Sequence, residues 1–109
     1  KRFANSMIPR LDTTLSHALT FDPLDPARYP CFNLAISAGK QGGTFPAVLS
    51  AADEVAVQAF LDSKIGFTDI PKVIDRVLSE HESLPGDKAE DFLEADRWAT
   101  GRTMEITSR

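Results

Sequence analysis

Several groups of residues in this 109-residue chain are of types that do chemistry, and their spacing decides which chemistry is open to them. Gly39-Lys40-Gln41-Gly42-Gly43 sets glycines around a lysine, the composition of a loop whose backbone N–H groups close on a phosphate. A Walker loop needs Gly-x-x-x-x-Gly-Lys-Ser/Thr, and a dinucleotide loop needs Gly-x-Gly-x-x-Gly between a strand and a helix. Neither spacing is met, and the glycines follow a helical pattern, where they fit a C-terminal cap. Ser37-Ala38-Gly39-Lys40 matches the Ser-x-x-Lys signature of a serine nucleophile. The Ser-Asp-Asn and Lys-Thr-Gly motifs that would accompany it are missing, so Ser37 reads as a solvent-facing helix serine.

His17, Cys31 and His81 are too scattered for any zinc spacing. Cys31 opens a helical pattern, where the helix dipole favours a thiolate. Its neighbours Tyr29 and Phe32 favour the other reading, a buried and inert thiol. Asp53 and Glu54 are adjacent, as are Glu90 and Asp91, and paired carboxylates can hold Mg²⁺ or exchange protons. Neighbours on a helix point about 100° apart and do not converge. They read as capping or solvated acids, with Glu54 free to bridge to a backbone N–H or to a base on another helix. No triad, metal cluster or nucleotide loop emerges, so the expected set of catalytic, cofactor-binding and metal-ligating residues in this chain is empty.

Composition narrows the rest. A net charge of -4 with interspersed acids and bases leaves no basic stripe for a nucleic acid. No apolar run nears the roughly 20 residues that span a bilayer, and KRFANS at the start has no apolar leader segment behind it. One cysteine excludes an internal disulfide and fits a reducing, cytoplasmic setting. An apolar fraction of 42% supports one modest core.

The elements that must position these residues divide the chain in two. Residues 1–28 are broken at Pro9, Asp22-Pro23 and Asp25-Pro26, with Pro30 just beyond, and carry no helical period. They read as an extended linker whose Leu11, Leu15 and Leu19 to Phe21 anchor on a neighbouring surface. Ala18-Leu19-Thr20-Phe21 is the candidate for a short edge strand, which needs a sheet outside this chain.

Residues 29–109 read as a small helical bundle, giving a mostly α fold. A first helix from Cys31 places Phe32, Ala35, Ile36 and Gly39 at steps of 3 and 4 and stops at Gly42-Gly43. A second, with Thr44 as N-cap and Pro46 in its first turn, carries the widest apolar stripe: Phe45, Val48, Leu49, Ala52, Val55, Ala56, Ala59 and Phe60. The polar patch from Ser50 to Asp53 is a candidate break in it. Thr68 caps a third helix with Ile70, Val73, Ile74, Val77 and Leu78 inward and Asp69 at the positive N-terminal end. A turn over Ser83 to Asp87 leads to a fourth, from Lys88 to about Ile106, which carries Phe92, Leu93, Ala95, Trp98, Ala99 and, less regularly, Met104; Asp96 could recap it partway and Trp98 should anchor it. The expected core includes Val48, Ala52, Phe60, Ile74, Val77 and Trp98.

One further pattern lies in order along the chain: Arg28-Tyr29-Pro30-Cys31, Gly42-Gly43-Thr44, Pro46-Ala47-Val48-Leu49, Ala51-Ala52 with Glu54, Lys64-Ile65-Gly66-Phe67, then Asp69-Ile70. In this order and spacing the sequence resembles the C-terminal region of 1-deoxy-D-xylulose 5-phosphate reductoisomerases. That family usually has Asn-Ala-Ala-Asn-Glu where this chain has Ser50-Ala51-Ala52-Asp53-Glu54, so both amides are replaced while the apolar frame is kept.

The resemblance implies a linker and C-terminal helical bundle of an enzyme that turns 1-deoxy-D-xylulose 5-phosphate into 2-C-methyl-D-erythritol 4-phosphate. The parent would use NADPH and Mg²⁺ or Mn²⁺, in non-mevalonate isoprenoid biosynthesis. It further implies that the cofactor loop, metal ligands and phosphate-binding residues precede this chain. Lys1-Arg2 would then be the tail of the family's Pro-x-Arg sequence. The implied partner is the parent's catalytic domain, through which the parent forms a homodimer, in the bacterial cytoplasm or in a plastid for a plant or alga. The isolated chain is expected to be inactive. The rival reading is a free-standing helical interaction module, and the apolar arm discriminates: a self-sufficient module has no need of it.

Overall fold

The computed structural model describes residues 7–108; Lys1-Arg2 lies outside the described residues. Four helices follow in order: α1 (Pro30–Gln41), α2 (Phe45–Leu61), α3 (Asp69–Glu80) and α4 (Ala89–Thr107). Prolines in the first turns of α1 and α2 sit where the missing N–H is an orphan in any case. No strand forms among the described residues, and Ala18 to Phe21 is irregular, since no sheet is there for it to pair with. Among the described residues no helix is long and apolar enough to cross a membrane.

The core lies between α2 and its neighbours. Val48, Ala51, Ala52 and Ala56 of α2 cluster with Ile70, Val73, Ile74 and Val77 of α3 and with Ala95 and Ala99 of α4. Helix α2 touches all three other helices. It runs unbroken through Ser50 and Asp53, because both lie on its exposed side while Ala51 and Ala52 point inward. Helix α4 is likewise continuous past the exposed Asp96.

Two of the expected faces differ from the observed ones. In α1 the apolar residues Phe32 and Ile36 stay 44% and 45% exposed, and the helix packs through Cys31, Leu34 and Ala38. In α4 the buried residues are Ala95, Ala99, Thr103 and Thr107, a column of small side chains at i, i+4 spacing. Trp98 is 37% exposed and lies outside the core cluster, and Phe60 only packs against it. The physical reason is the facing surface: the inner side of α2 is largely alanine, so α4 can approach closely and has no room for an indole. Thr103 and Thr107 tolerate burial because their hydroxyls donate to the carbonyls of Ala99 at 2.6 Å and Thr103 at 2.9 Å.

Candidate functional site

The most connected polar group on the molecule is built where the α3–α4 connector crosses the turn between α1 and α2. Gly42 and Gly43 end α1 with positive φ, and the Gly42 N–H donates to the Ala38 carbonyl as a helix cap does. Gly43 also serves close approach. A Cβ there would collide with the Ser83 hydroxyl, and one on Gly86 (φ 75°) would come within 3.2 Å of the Gly43 backbone. Two backbones therefore cross in contact. Asp91 holds the connector from α4, accepting the Gly86 N–H at 3.2 Å.

That crossing draws Thr44 out of its expected role. Its hydroxyl makes no N-cap bond; it is fully buried, 2.8 Å from His81 Nε2, and accepts the Leu84 N–H at 3.1 Å. The Thr44 N–H donates to Ser83 Oγ at 3.3 Å, and Ser83 Oγ donates to the Leu84 carbonyl. The His81 ring stands edge-on to Phe45 at 5.0 Å and tilted against Trp98 at 5.2 Å. Half-burial pushes its pKa below the ordinary value, against the smaller opposing effect of the Glu82 charge. A serine, a threonine and a histidine thus meet, yet the Thr44 hydroxyl is fully buried and holds the Leu84 N–H, the Ser83 hydroxyl is given to the Leu84 carbonyl, and among the described residues no acid is hydrogen-bonded to the ring. The group fastens rather than catalyses.

At the C-terminal end of α3, Arg102 of α4 grips Glu80 with two bonds, Nε–Oε2 at 2.6 Å and Nη2–Oε1 at 3.1 Å, while its Nη1 holds Glu105 at 2.9 Å. Arg76 adds a bond to Glu80 at 3.2 Å. The Arg102 guanidinium is the chief cause that holds the Glu80 carboxyl down at about 2.

The residues singled out in the sequence are not brought together. Ser37 and Lys40 are both exposed on α1. Cys31 is half-buried beside a cavity of about 300 Å³ formed with Arg28, Tyr29, Phe67 and Pro71. Burial, and secondarily the Asp53 charge, push its thiol pKa up, opposite to the lowering expected of a helix dipole. Asp53 and Glu54 lie on the exposed side of α2, where Glu54 borders a groove of about 620 Å³ with Lys64 and Met104. Glu54 makes neither of the bridges open to it. His17 reaches only the Asp12 carbonyl in the arm. Thr68 makes no cap bond; Asp69 does the nearby work by accepting the Gly66 N–H at 2.9 Å. Among the described residues no three His, Cys, Asp or Glu side chains are placed to hold a metal ion.

Comparison with known proteins supplies what the geometry alone does not. The model of the DXP reductoisomerase C-terminal domain matches residues 1–102. The chain belongs to this family. Among reductoisomerase relatives, the 1-deoxy-D-xylulose 5-phosphate reductoisomerase of Halothermothrix orenii is 44% identical over 99% of the chain and 28% of the relative. That of Chlorobium phaeobacteroides strain BS1 is 50% identical over 91% of the chain and 26% of the relative. The chain thus spans little more than a quarter of the length of these reductoisomerases. A solved structure of the Zymomonas mobilis reductoisomerase in complex with NADPH superposes on 100% of this chain and 29% of its own, with a TM-score of 0.82 and 35% identity. The superposition takes in the arm as well as the four helices.

Proposed function

We propose that this chain is the linker and helical C-terminal part of a reductoisomerase that converts 1-deoxy-D-xylulose 5-phosphate to 2-C-methyl-D-erythritol 4-phosphate with NADPH, and that its own contribution is mechanical. In this reading residues 1–28 form the arm and residues 29–109 the bundle, packed on the catalytic domain of a homodimeric cytoplasmic enzyme of isoprenoid biosynthesis. The observation that carries it is the likeness to reductoisomerases along the whole chain. The chemistry of the described residues supports placing the cofactor and the metal outside this chain. The glycines cap a helix and brace a backbone crossing, and the carboxylates do not converge. NADPH and Mg²⁺ or Mn²⁺ would therefore be held elsewhere in the parent, and no residue here is assigned to catalysis.

The exposed arm favours this reading over the free-standing module. Leu11, Leu15, Leu19 and Phe21 are 62 to 88% exposed, and Phe32 and Ile36 add a second uncovered surface. A chimera tests the proposal: this chain replaces the matching segment of the Zymomonas mobilis enzyme. The chimera should retain substrate-dependent NADPH oxidation within about tenfold of the parent, equivalent to a loss of about 1.4 kcal/mol. The 109-residue chain alone should show no turnover and no NADPH binding by calorimetry. A folded but inactive chimera, or stoichiometric NADPH binding by the chain alone, would overturn it.

A further inference from the structure

Helix α1 is apolar on two sides, and the bundle covers only one of them. Cys31, Leu34 and Ala38 face the bundle, where α1 touches α2 and α3 but not α4. Phe32, Ala35, Ile36 and Gly39, at i, i+3, i+4 and i+7, form a second stripe along the outside, and all four are exposed. A surface helix needs one apolar side; a helix that is apolar on both is shaped to lie between two partners. Charge separates this stripe from the other exposed apolar side chains. Helix α1 contains no acid, and its one charge, Lys40, lies in the last turn. Val57 and Leu61 of α2 are exposed among Asp53, Glu54 and Asp62, and Leu93 and Met104 of α4 among Glu94, Arg97 and Glu105. Depletion of charge across an apolar patch is the mark of an interface core.

The occupant follows from what adjoins the stripe. Pro30 opens α1 directly after the arm, and at that joint the exposed Tyr29 and Phe67 flank the cavity of about 300 Å³ beside Cys31. A surface that receives the arm's leucines and Phe21 therefore reaches the first turn of α1 without a break. The matched segment is 28% of the Halothermothrix orenii relative and 29% of the Zymomonas mobilis chain, so most of each of those polypeptides lies outside it. A surface joined in the same polypeptide meets the stripe at a far higher effective concentration than a second copy free in solution. We propose that the outer side of α1, from Tyr29 to Gly39, is the face by which the bundle docks on the rest of its own polypeptide, against a surface that is itself apolar and poor in charge. This rests on the reading of the chain as part of a reductoisomerase, and adds to it which helix makes the joint. The acid-bearing outer side of α4, the helix that α1 does not touch, stays in water.

Hydroxyl-radical footprinting read by mass spectrometry compares the same side chains in the 109-residue chain and in the chimera with the Zymomonas mobilis enzyme. Tyr29, Phe32 and Ile36 should oxidise readily in the dilute chain and about tenfold more slowly in the chimera, while Leu93 and Met104 of α4 react alike in both. Ala35→Glu puts a charge into the stripe at an exposed position. It should leave the melting temperature of the 109-residue chain within about 2 degrees of the unaltered one. In the chimera it should return Phe32 and Ile36 to the rate of the free chain, because a charge cannot be buried unpaired in an apolar joint. Arg97→Glu on α4 controls for the added acid and should change neither footprint. An active chimera in which Phe32 and Ile36 oxidise as fast as in the free chain overturns the docking face and leaves the reductoisomerase reading standing. An inactive chimera in which they are protected, and released by Ala35→Glu, supports the face while that reading falls. Equal protection of Leu93 and Met104 in the chimera would overturn the choice of α1. Protection already present in the dilute chain, with sedimentation at the mass of a dimer, would give the face to a second copy and overturn it as well. If Ala35→Glu keeps the chimera from folding, the footprints of the unaltered pair decide alone.

Discussion

At the scale of single residues, Thr44 shows how one hydroxyl is diverted by tertiary structure from a local task to a long-range one. Threonine before a proline-containing helix satisfies the pattern of an N-cap, and it does occupy that position. Its oxygen is taken instead by His81 and Leu84, 37 and 40 residues away in the chain. Thr44→Val keeps the shape and removes the hydroxyl, stranding the Leu84 N–H and the His81 acceptor in a part-buried place. The loss should be about 2 to 3 kcal/mol of unfolding free energy, read as a lower urea midpoint at unchanged slope. A midpoint equal to that of the unaltered chain would mean water replaces the hydroxyl at no cost. Periodicity could not have found this junction, because its partners share no face of any one helix. The usable signal was the pair of glycine turns, Gly42-Gly43 and Pro85-Gly86, which mark two places where backbones can meet. Gly42-Gly43 was legible as a cap for a simpler reason, since the need for positive φ is local.

At the scale of elements, what was legible depended on how strongly residue size and burial agree. Helix α3 reads correctly from Ile70 to Leu78 because its branched residues recur on one face opposite Lys72, Asp75, Arg76 and Ser79. Helix α1 was found with the wrong face inward, since Phe32 and Ile36 outweigh Cys31, Leu34 and Ala38 in any apolar count. Helix α4 misleads in part: Ala95 and Ala99 are buried as their spacing predicts, but the large residues Phe92, Leu93, Trp98 and Met104 are 37 to 59% exposed, and Thr103 and Thr107 complete the buried column instead. The Glu80 to Arg102 clamp joining α3 to α4 spans 22 residues and has no spacing signature. The small-residue seam makes a sharp prediction. Ala99→Leu inserts three carbons where Ala99 is fully buried and should cost about 1 to 3 kcal/mol or more, by overpacking against α2. Trp98→Ala should cost less than the roughly 3 to 5 kcal/mol of a core tryptophan, because its indole is at the rim. Thermal unfolding of the two variants side by side checks the order. If Trp98→Ala melts well below Ala99→Leu, the indole rather than the alanine column holds α4.

At the scale of the whole molecule, the chain is a small core with a long appendage. Its radius of gyration is 18.0 Å and its extents are 53 × 35 × 28 Å. A compact chain of this length would have a radius of about 13 Å. The excess fits an arm that is exposed at every described residue, 7–28. The prolines made its extension legible; the turn at Asp12 was not. Asp12 Oδ1 accepts the Thr14 N–H at 2.9 Å, and the Asp12 carbonyl accepts the Leu15 N–H at 3.3 Å and meets His17 Nε2 at 2.5 Å. This turn orders the chain between Leu11 and Leu15 while both side chains stay exposed, as a docking segment shaped before it meets its surface would. Burying those side chains would gain roughly 1.5 to 3 kcal/mol each, enough to hold the arm on a partner but not available within this bundle. Amides from Leu11 to Phe21 should therefore exchange at near-unprotected rates in the dilute chain, while those of Ile70 to Leu78 are slowed by the core around them. In the chimera with the Zymomonas mobilis enzyme, the arm amides should become protected and the α3 amides should change little. Arm protection already equal to that of α3 in the isolated chain at low concentration would mean the arm folds on its own bundle, and would restore the free-standing module as the better reading.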